Sequence, residues 1–261
     1  MEFTRERSDN GVTERLFEFT VAGETVPAVV WAPEGAKGPR PLVLMGHGGS
    51  QHKKIGSLAT RARRYVQRLG YAVAAIDAPG HGARVSREET IRRAREIQER
   101  IATGRAMSAD AGRAMAARAA QAVPEWRAAL DAVQGLDFVG AAGPVGYWGV
   151  SMGTAIGVPF VAAEPRIAAA VFGLAGLRPG AAEFEAAARA ITIPVEFVFQ
   201  WDDEIASREA GIALFNALGS GEKSLHANPG GHLAIPDFEG ASWERFFLRH
   251  LGAAQDAQAA A

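Results

Sequence analysis

The pattern of this chain predicts an α/β fold: a mostly parallel central sheet with helices on both faces and an inserted helical cap. Three observations carry that expectation. Continuous apolar runs of strand length recur at 41–46, 71–76, 144–149, 167–172 and 193–200, as expected of strands buried on both faces. Stretches of helical periodicity separate them, so strand and helix alternate as in βαβ units. The alternation lapses once, over about 84–122, where helical pattern continues without a strand. At 261 residues, 48% of them hydrophobic, the whole chain 1–261 suits a single domain with a sizeable core.

In order, residues 1–12 are polar and read as a frayed end. Segments 16–21 and 26–31 read as strands around Ala22-Gly23-Glu24, a hairpin at the sheet edge, where Pro27 does no harm. The run 41–46 ends in Gly46-His47-Gly48-Gly49-Ser50. Residues 54–69 make a basic amphipathic helix stopped by Gly70, and strand 71–76 ends at Asp77-Ala78-Pro79-Gly80-His81-Gly82. The cap follows, with Ile91, Ala94, Ile97 and Ile101 along one face and a break near Gly104. Pro124 is expected to open a fresh helix running to Gly135, an early position that tolerates proline. Strand 144–149, helix 151–163 and strand 167–172 come next, then helix 180–190 and strand 193–200. Helix 206–218, a short strand 223–228 and a closing helix 233–250 complete the order, and the Ala/Gln-rich tail 252–261 reads as disordered.

Composition excludes several classes. The start is charged and lacks the apolar core of a secretion signal, and no run reaches the ~20 apolar residues that span a bilayer. A cytoplasmic protein without a membrane partner is expected. The absence of cysteine removes disulfides, thiolate metal sites and a cysteine nucleophile. No His/Asp/Glu spacing suits a metal, and no phosphate-cradling glycine loop occurs between strand and helix, so neither metal nor cofactor is expected. Net charge is −1, yet residues 53–127 hold 16 Lys and Arg against 7 Asp and Glu. A solvated helical surface is the commoner cause of such an excess; a rim that draws anionic substrates is the sharper one. Without interleaved aromatics the basic stretch does not suit nucleic acid. A homodimer is left open.

The chemistry centres on Gly149-Val150-Ser151-Met152-Gly153, which follows an apolar strand and opens a helix. Small residues two positions to either side let strand and helix approach, and the turn lifts the Ser151 hydroxyl to the helix amino end, where negative charge is favoured. A serine hydroxyl needs an imidazole to take its proton and a carboxylate to orient that imidazole. Downstream, Asp203 follows the run 193–199, and His232 lies in Pro229-Gly230-Gly231-His232. Asp202 competes with Asp203, with Glu204 a third choice. Two N–H donors are needed for the oxyanion; Met152 supplies one and Gly49, in the glycine loop after strand 41–46, the other. Arg84 and Arg87, just past Gly82, could pair with a free carboxylate on the substrate. His81 and Trp201 are candidates for the pocket wall.

With these motifs in the order Ser, Asp, His, the chain resembles the serine α/β-hydrolases, most nearly the dienelactone-hydrolase-like and small carboxylesterase members, over roughly residues 14–250. The resemblance implies an α/β-hydrolase fold and hydrolysis of a small-molecule carboxylic ester. It also implies Ser151 as nucleophile, Asp203 as acid, His232 as base, and Gly49 with Met152 as oxyanion donors. Dienelactone hydrolases use a cysteine nucleophile, which this chain lacks, so an ordinary serine esterase is the expectation. An amidase, a peptidase or a C–C hydrolase would share the same triad, and a non-catalytic binding protein would have no need to keep all three residues.

Overall fold

The computed structural model describes residues 2–104 and 108–254. A nine-stranded sheet forms its centre. The first three strands, β1 (Phe3–Asp9), β2 (Val12–Val21) and β3 (Glu24–Pro33), run antiparallel. Six parallel strands follow: β4 (Leu42–Gly46), β5 (Ala72–Ile76), β6 (Val145–Val150), β7 (Ile167–Gly173), β8 (Val195–Gln200) and β9 (Lys223–Asn228). Their spatial order is β1-β2-β3-β5-β4-β6-β7-β8-β9, with β3 joined antiparallel to β5. Strands β4 to β7 are buried at nearly every position, as their unbroken apolar runs require when helices cover both faces.

Helices α1 (Gly56–Leu69) and α7 (Phe238–Leu251) cover one face. Leu58, Ala62, Tyr65, Val66 and Leu69 of α1 meet Trp243, Phe247 and Leu251 of α7 there, with the Tyr65 and Phe247 rings edge-on at 5.7 Å. Helices α3 (Ala109–Gln134), α4 (Met152–Ala163), α5 (Ala182–Ala190) and α6 (Arg208–Ala217) cover the other face. Between β5 and β6, a single 3-10 turn at Gly82–Arg84 precedes α2 (Arg87–Thr103), capped by Ser86. Helix α2 buries none of its residues fully, and its surface is laced by Glu89–Arg92, Glu89–Arg93 and Arg92–Glu96 ion pairs. Part of the basic excess of 53–127 is matched by acids from outside that stretch, in the pairs Lys54–Glu14, Arg63–Asp9 and Arg64–Glu244.

Four expectations about the elements need correction. Residues 3–9 are not frayed but form β1, which returns on β2 through Asn10-Gly11, both at positive φ (51° and 72°). A two-residue Asn-Gly connection of that kind matches the right-handed twist of a hairpin; the outward charges of β1 hide the strand, while Phe3 packs edge-on against Phe17 at 6.3 Å. The β2–β3 hairpin therefore lies inside the sheet. Pro27 is tolerated because it stands at the end of the pairing with β5: the register covers Ala28–Trp31, and Pro27 adds only its carbonyl, which accepts from the Asp77 N–H at 2.9 Å. Proline 124 does not start a helix but lies within α3. The carbonyl it leaves unmatched is that of Ala120, an exposed residue, so water can replace the lost bond. One helix thus leaves the insertion and continues onto the sheet, where Ala122, Trp126, Ala129, Leu130 and Val133 are buried at helical spacing. Finally, Gly252–Ala254 are ordered, with Ala254 buried and the Tyr71 hydroxyl donating to the Gly252 carbonyl; the remainder of the expected disordered tail, 255–261, lies outside the described residues.

Candidate active site

Parallel register brings the chemistry to one edge. Gly46 at the end of β4 pairs with Gly149 of β6, Val150 of β6 with Gly173 of β7, and Gln200 of β8 with Asn228 of β9. The loops that leave β4, β6, β8 and β9 at their carboxyl ends carry Gly49, Ser151, Asp203 and His232, the place where open parallel sheets hold ligands.

Ser151 sits between β6 and α4 at φ 58°, ψ −118°, a conformation that costs an L-residue on the order of 1–3 kcal/mol and persists only under external constraint. The constraints are visible. The Ser151 N–H donates to the Gly173 carbonyl at 2.8 Å, and the Tyr147 hydroxyl donates to the Gly153 carbonyl at 2.7 Å. Thr154 Oγ1 accepts from the Gly173 N–H at 2.8 Å and faces the carbonyls of Gly149 and Gly173. Glycine is required at 153, since a Cβ there would stand 2.5 Å from the Gly46 carbonyl oxygen. The Ser151 turn is therefore locked to the end of β4 by direct backbone contact.

The Ser151 Oγ lies 3.0 Å from His232 Nε2, and His232 Nδ1 lies 2.9 and 2.8 Å from the two oxygens of Asp203. The His232 and Asp203 side chains are only 4% and 1% exposed, so both hydrogen bonds are sheltered from water. Asp203 Oδ1 also accepts from the N–H groups of Ile205 and Ala206, each at 2.8 Å, which fixes the carboxylate independently of the ring.

The rivals for that position have other work. Asp202 Oδ2 accepts from the Gly230 N–H at 3.2 Å, and the Asp202 N–H donates to the Gly230 carbonyl. Glu204 Oε2 accepts from the His232 N–H at 2.8 Å, and a Cβ at Gly231 would collide with the same carboxylate at 2.3 Å. Gln200, fully buried, donates through Nε2 to the carbonyls of Pro229 and Ala234 at 3.2 and 2.8 Å. Residues 200–204 thus clasp the 229–234 loop along its length. By residue type Asp202 and Glu204 are only alternative acids; the sequence signal for their role is the pairing of this acidic run with Gly230-Gly231.

The β4 loop is organised by His47. The Ala78 N–H donates to His47 Nε2 at 3.1 Å, so the ring carries its proton on Nδ1 and donates to the Gly48 carbonyl at 2.8 Å. His81 donates from Nδ1 to the Pro79 carbonyl, with its ring 5.5 Å from that of His47. Burial pulls both imidazoles down to about 4, so they are neutral braces at ordinary pH. Asp77 ends β5 beside them. Burial pushes its carboxyl up, but hydrogen bonds from Lys53 Nζ, the Ala83 N–H and the Lys53 N–H together outweigh this and hold it below its usual value. The Gly48 N–H is occupied by Gln51 Oε1 at 3.1 Å, and Ile97 of α2 overhangs Gly49, its Cδ1 3.0 Å from where a Cβ would stand. Met152 is the first residue of α4, where a helix offers its N–H no carbonyl partner.

Two expected pocket residues need comment. Arg84 is not available to a substrate carboxylate: Nη1 and Nη2 grip Glu125 at 2.7 and 2.9 Å, with the side chains 7% and 2% exposed. The bidentate buried pair fixes the plane of the guanidinium, and Nη1 also donates to the Asp77 carbonyl at 3.3 Å, so Arg84 braces the 3-10 turn against α3. Trp201 is 47% exposed and held between Phe199 and the Arg208 guanidinium, 3.9 Å from its ring.

Neither a protein-family model nor a curated protein sequence matches the chain. Among solved structures, a cold-adapted esterase from an Arctic intertidal metagenomic library, in its PEG-bound form, is 35% identical over 96% of this chain and 100% of its own, with TM-score 0.78. Its native form gives 32% and 0.74 over the same shares. Dienelactone hydrolase from Anabaena variabilis, at 19% identity and TM-score 0.62 over 93% of this chain and 100% of that one, shares the fold. At 35% identity across nearly the whole of both chains, the protein belongs to the family of that esterase, as an α/β-hydrolase that acts on esters.

Proposed function

We propose that the protein is a serine carboxylesterase working through an acyl-Ser151 intermediate. The observation that carries the reading is the sheltered relay from Ser151 Oγ through the His232 ring to both oxygens of Asp203. His232 Nε2 takes the Oγ proton as Oγ attacks the ester carbonyl carbon. The carbonyl oxygen becomes an oxyanion, which the N–H groups of Met152 and Gly49 receive; each such donor contributes on the order of 3 kcal/mol to the transition state. The tetrahedral species collapses, the C–O bond to the alcohol breaks, and the imidazolium returns its proton to the departing oxygen. Water then repeats the cycle: His232 removes a proton, hydroxide oxygen attacks the acyl carbon, and the carboxylic acid leaves Ser151 with its proton restored. Asp203 stays ionised throughout. Its bonds from Ile205 and Ala206 leave it preorganised to favour the imidazolium, so little rearrangement is needed when charge develops.

Ser151→Ala should abolish hydrolysis of short p-nitrophenyl esters and labelling by a fluorophosphonate, while the circular dichroism spectrum and Tm stay near those of the parent. Turnover in that variant comparable to the parent would refute the nucleophile.

A further inference from the structure

Away from Ser151, three side chains from three elements converge under the sheet edge. Glu196 of β8, His226 of β9 and Glu239 of α7 each present one ligand atom, and these atoms lie within 4.8 Å of one another. His226 Nδ1 is 2.9 Å from Glu239 Oε2 and 3.7 Å from Glu196 Oε1. We propose that this cluster is a binding site for one divalent transition cation of the zinc type, bridging β8, β9 and α7.

Both carboxylates are deeply buried, Glu196 at 5% and Glu239 at 2% exposure. Glu239 Oε1 is satisfied by Asn228 Nδ2 at 2.8 Å, leaving Oε2 to face the cluster. Glu196 Oε1 is buried, faces His226 and has no hydrogen-bond partner. An oxygen of that kind is costly unless something positive meets it. One imidazole can supply at most one positive charge against two carboxylates, and Arg245 acts on Glu196 as the weakest of its neighbours, whereas a dication between them balances both. The donor set, one imidazole nitrogen and two carboxylate oxygens, suits zinc and its neighbours better than calcium. Bonds of ~2.0–2.1 Å in tetrahedral array put ligand atoms roughly 3.3 Å apart, inside the range the three atoms already span. His226 is 29% exposed, which gives the ion an entry path and leaves a coordination position for water. Binding places the ring proton on Nε2 and exchanges the Nδ1 contact with Glu239 for a bond to the metal.

The site has a structural consequence. β9 ends at Asn228 and α7 begins at Phe238, so the cation would tie together the two ends of the segment that carries His232. Sequence spacing could not show it, because positions 196, 226 and 239 share no local motif.

The test uses the full chain without a histidine tag, stripped with EDTA and desalted. Zn2+ alone should bind at one equivalent by calorimetry and raise Tm by about 5 °C when saturating. His226→Asn and Glu196→Gln should each weaken binding at least tenfold and remove the Tm rise. The partly exposed His226 variant carries the comparison if the Glu196 variant does not fold. Absence of a zinc-dependent Tm shift in the parent chain would overturn the site. So would undiminished zinc binding in His226→Asn, and an equal shift with Ca2+ would overturn the cation class.

Discussion

Glu204 makes the sharpest test of how the histidine is held. Among the described residues, its carboxylate accepts from the His232 backbone N–H at 2.8 Å and makes no hydrogen bond to Ser151 or to the His232 ring. A hydrogen bond to a charged acceptor contributes about 1.5–3 kcal/mol, against roughly 0.5–1.5 for a neutral one. Truncation in Glu204→Ala removes that interaction from the residue whose Nε2 must stay 3.0 Å from Ser151 Oγ. If the loop then spends most of its time displaced, the free energy lost appears in the productive fraction, at about 1.36 kcal/mol per decade of rate. Glu204→Ala is therefore expected to lower kcat on a short p-nitrophenyl ester about 10- to 100-fold. KM should change little, because the carboxylate makes no contact with substrate in this reading. Glu204→Gln keeps an acceptor oxygen and loses the charge, so its loss should be roughly threefold to tenfold. Steady-state kinetics with fluorophosphonate labelling rates in parallel separate positioning from binding, since both should fall together. A Glu204→Ala enzyme with the parent kcat would refute the argument that this backbone contact positions the imidazole.

Two further outcomes follow from buried charges. Glu125→Ala strands the Arg84 guanidinium in a 7% exposed site and should cost about 3–5 kcal/mol, a Tm drop on the order of 10 °C by differential scanning fluorimetry. Arg84→Met should leave the ratio of rates on neutral and acidic esters of matched size unchanged, and a selective loss on the acidic ester would restore Arg84 to the substrate. His47 titrates near 6.5 when unfolded and at about 4 when folded because burial disfavours its charge. Between those values the unfolded chain binds more protons, so stability is full above about 6.5 and declines as pH falls toward 4, with His47 contributing about 3 kcal/mol and His81, also pulled down to about 4 by burial, adding to it. Urea titrations from pH 7 to 4.5 should show that decline, and His47→Gln, though weaker at pH 7, should show a shallower one; identical slopes would remove His47 as the cause.

How much of this was legible in the chain follows from the range of the interactions involved. The parallel strands announce themselves because burial on both faces forces unbroken apolar runs, and the Ser151 turn announces itself because its steric requirement falls within five consecutive residues. β1 was hidden for the opposite reason. It is an edge strand whose charges face water, and its strongest sign was the Asn10-Gly11 turn rather than its composition. The continuity of α3 through Pro124 was also beyond local reading, since a proline that usually opens a helix is held inside this one by Trp126 and its neighbours packing on the sheet.

The acidic run 202–204 shows where reading by residue type stops and geometry must take over. Three consecutive carboxylates are chemically alike, and each could orient an imidazole. Which one does so depends on how the chain leaves β8. Gln200 ends that strand with its side chain buried and bonded across to Pro229 and Ala234, so the two loops are already clasped when residue 202 is reached. Asp202 then meets Gly230, Asp203 meets the ring, and Glu204 meets the backbone of the residue that bears it. The carboxylates divide the loop in sequence order because both segments leave neighbouring parallel strands at the same edge. A shift of one residue in the β8–β9 register would hand the ring to a different acid, so which carboxylate meets the imidazole is a property of strand pairing as much as of the carboxylate itself.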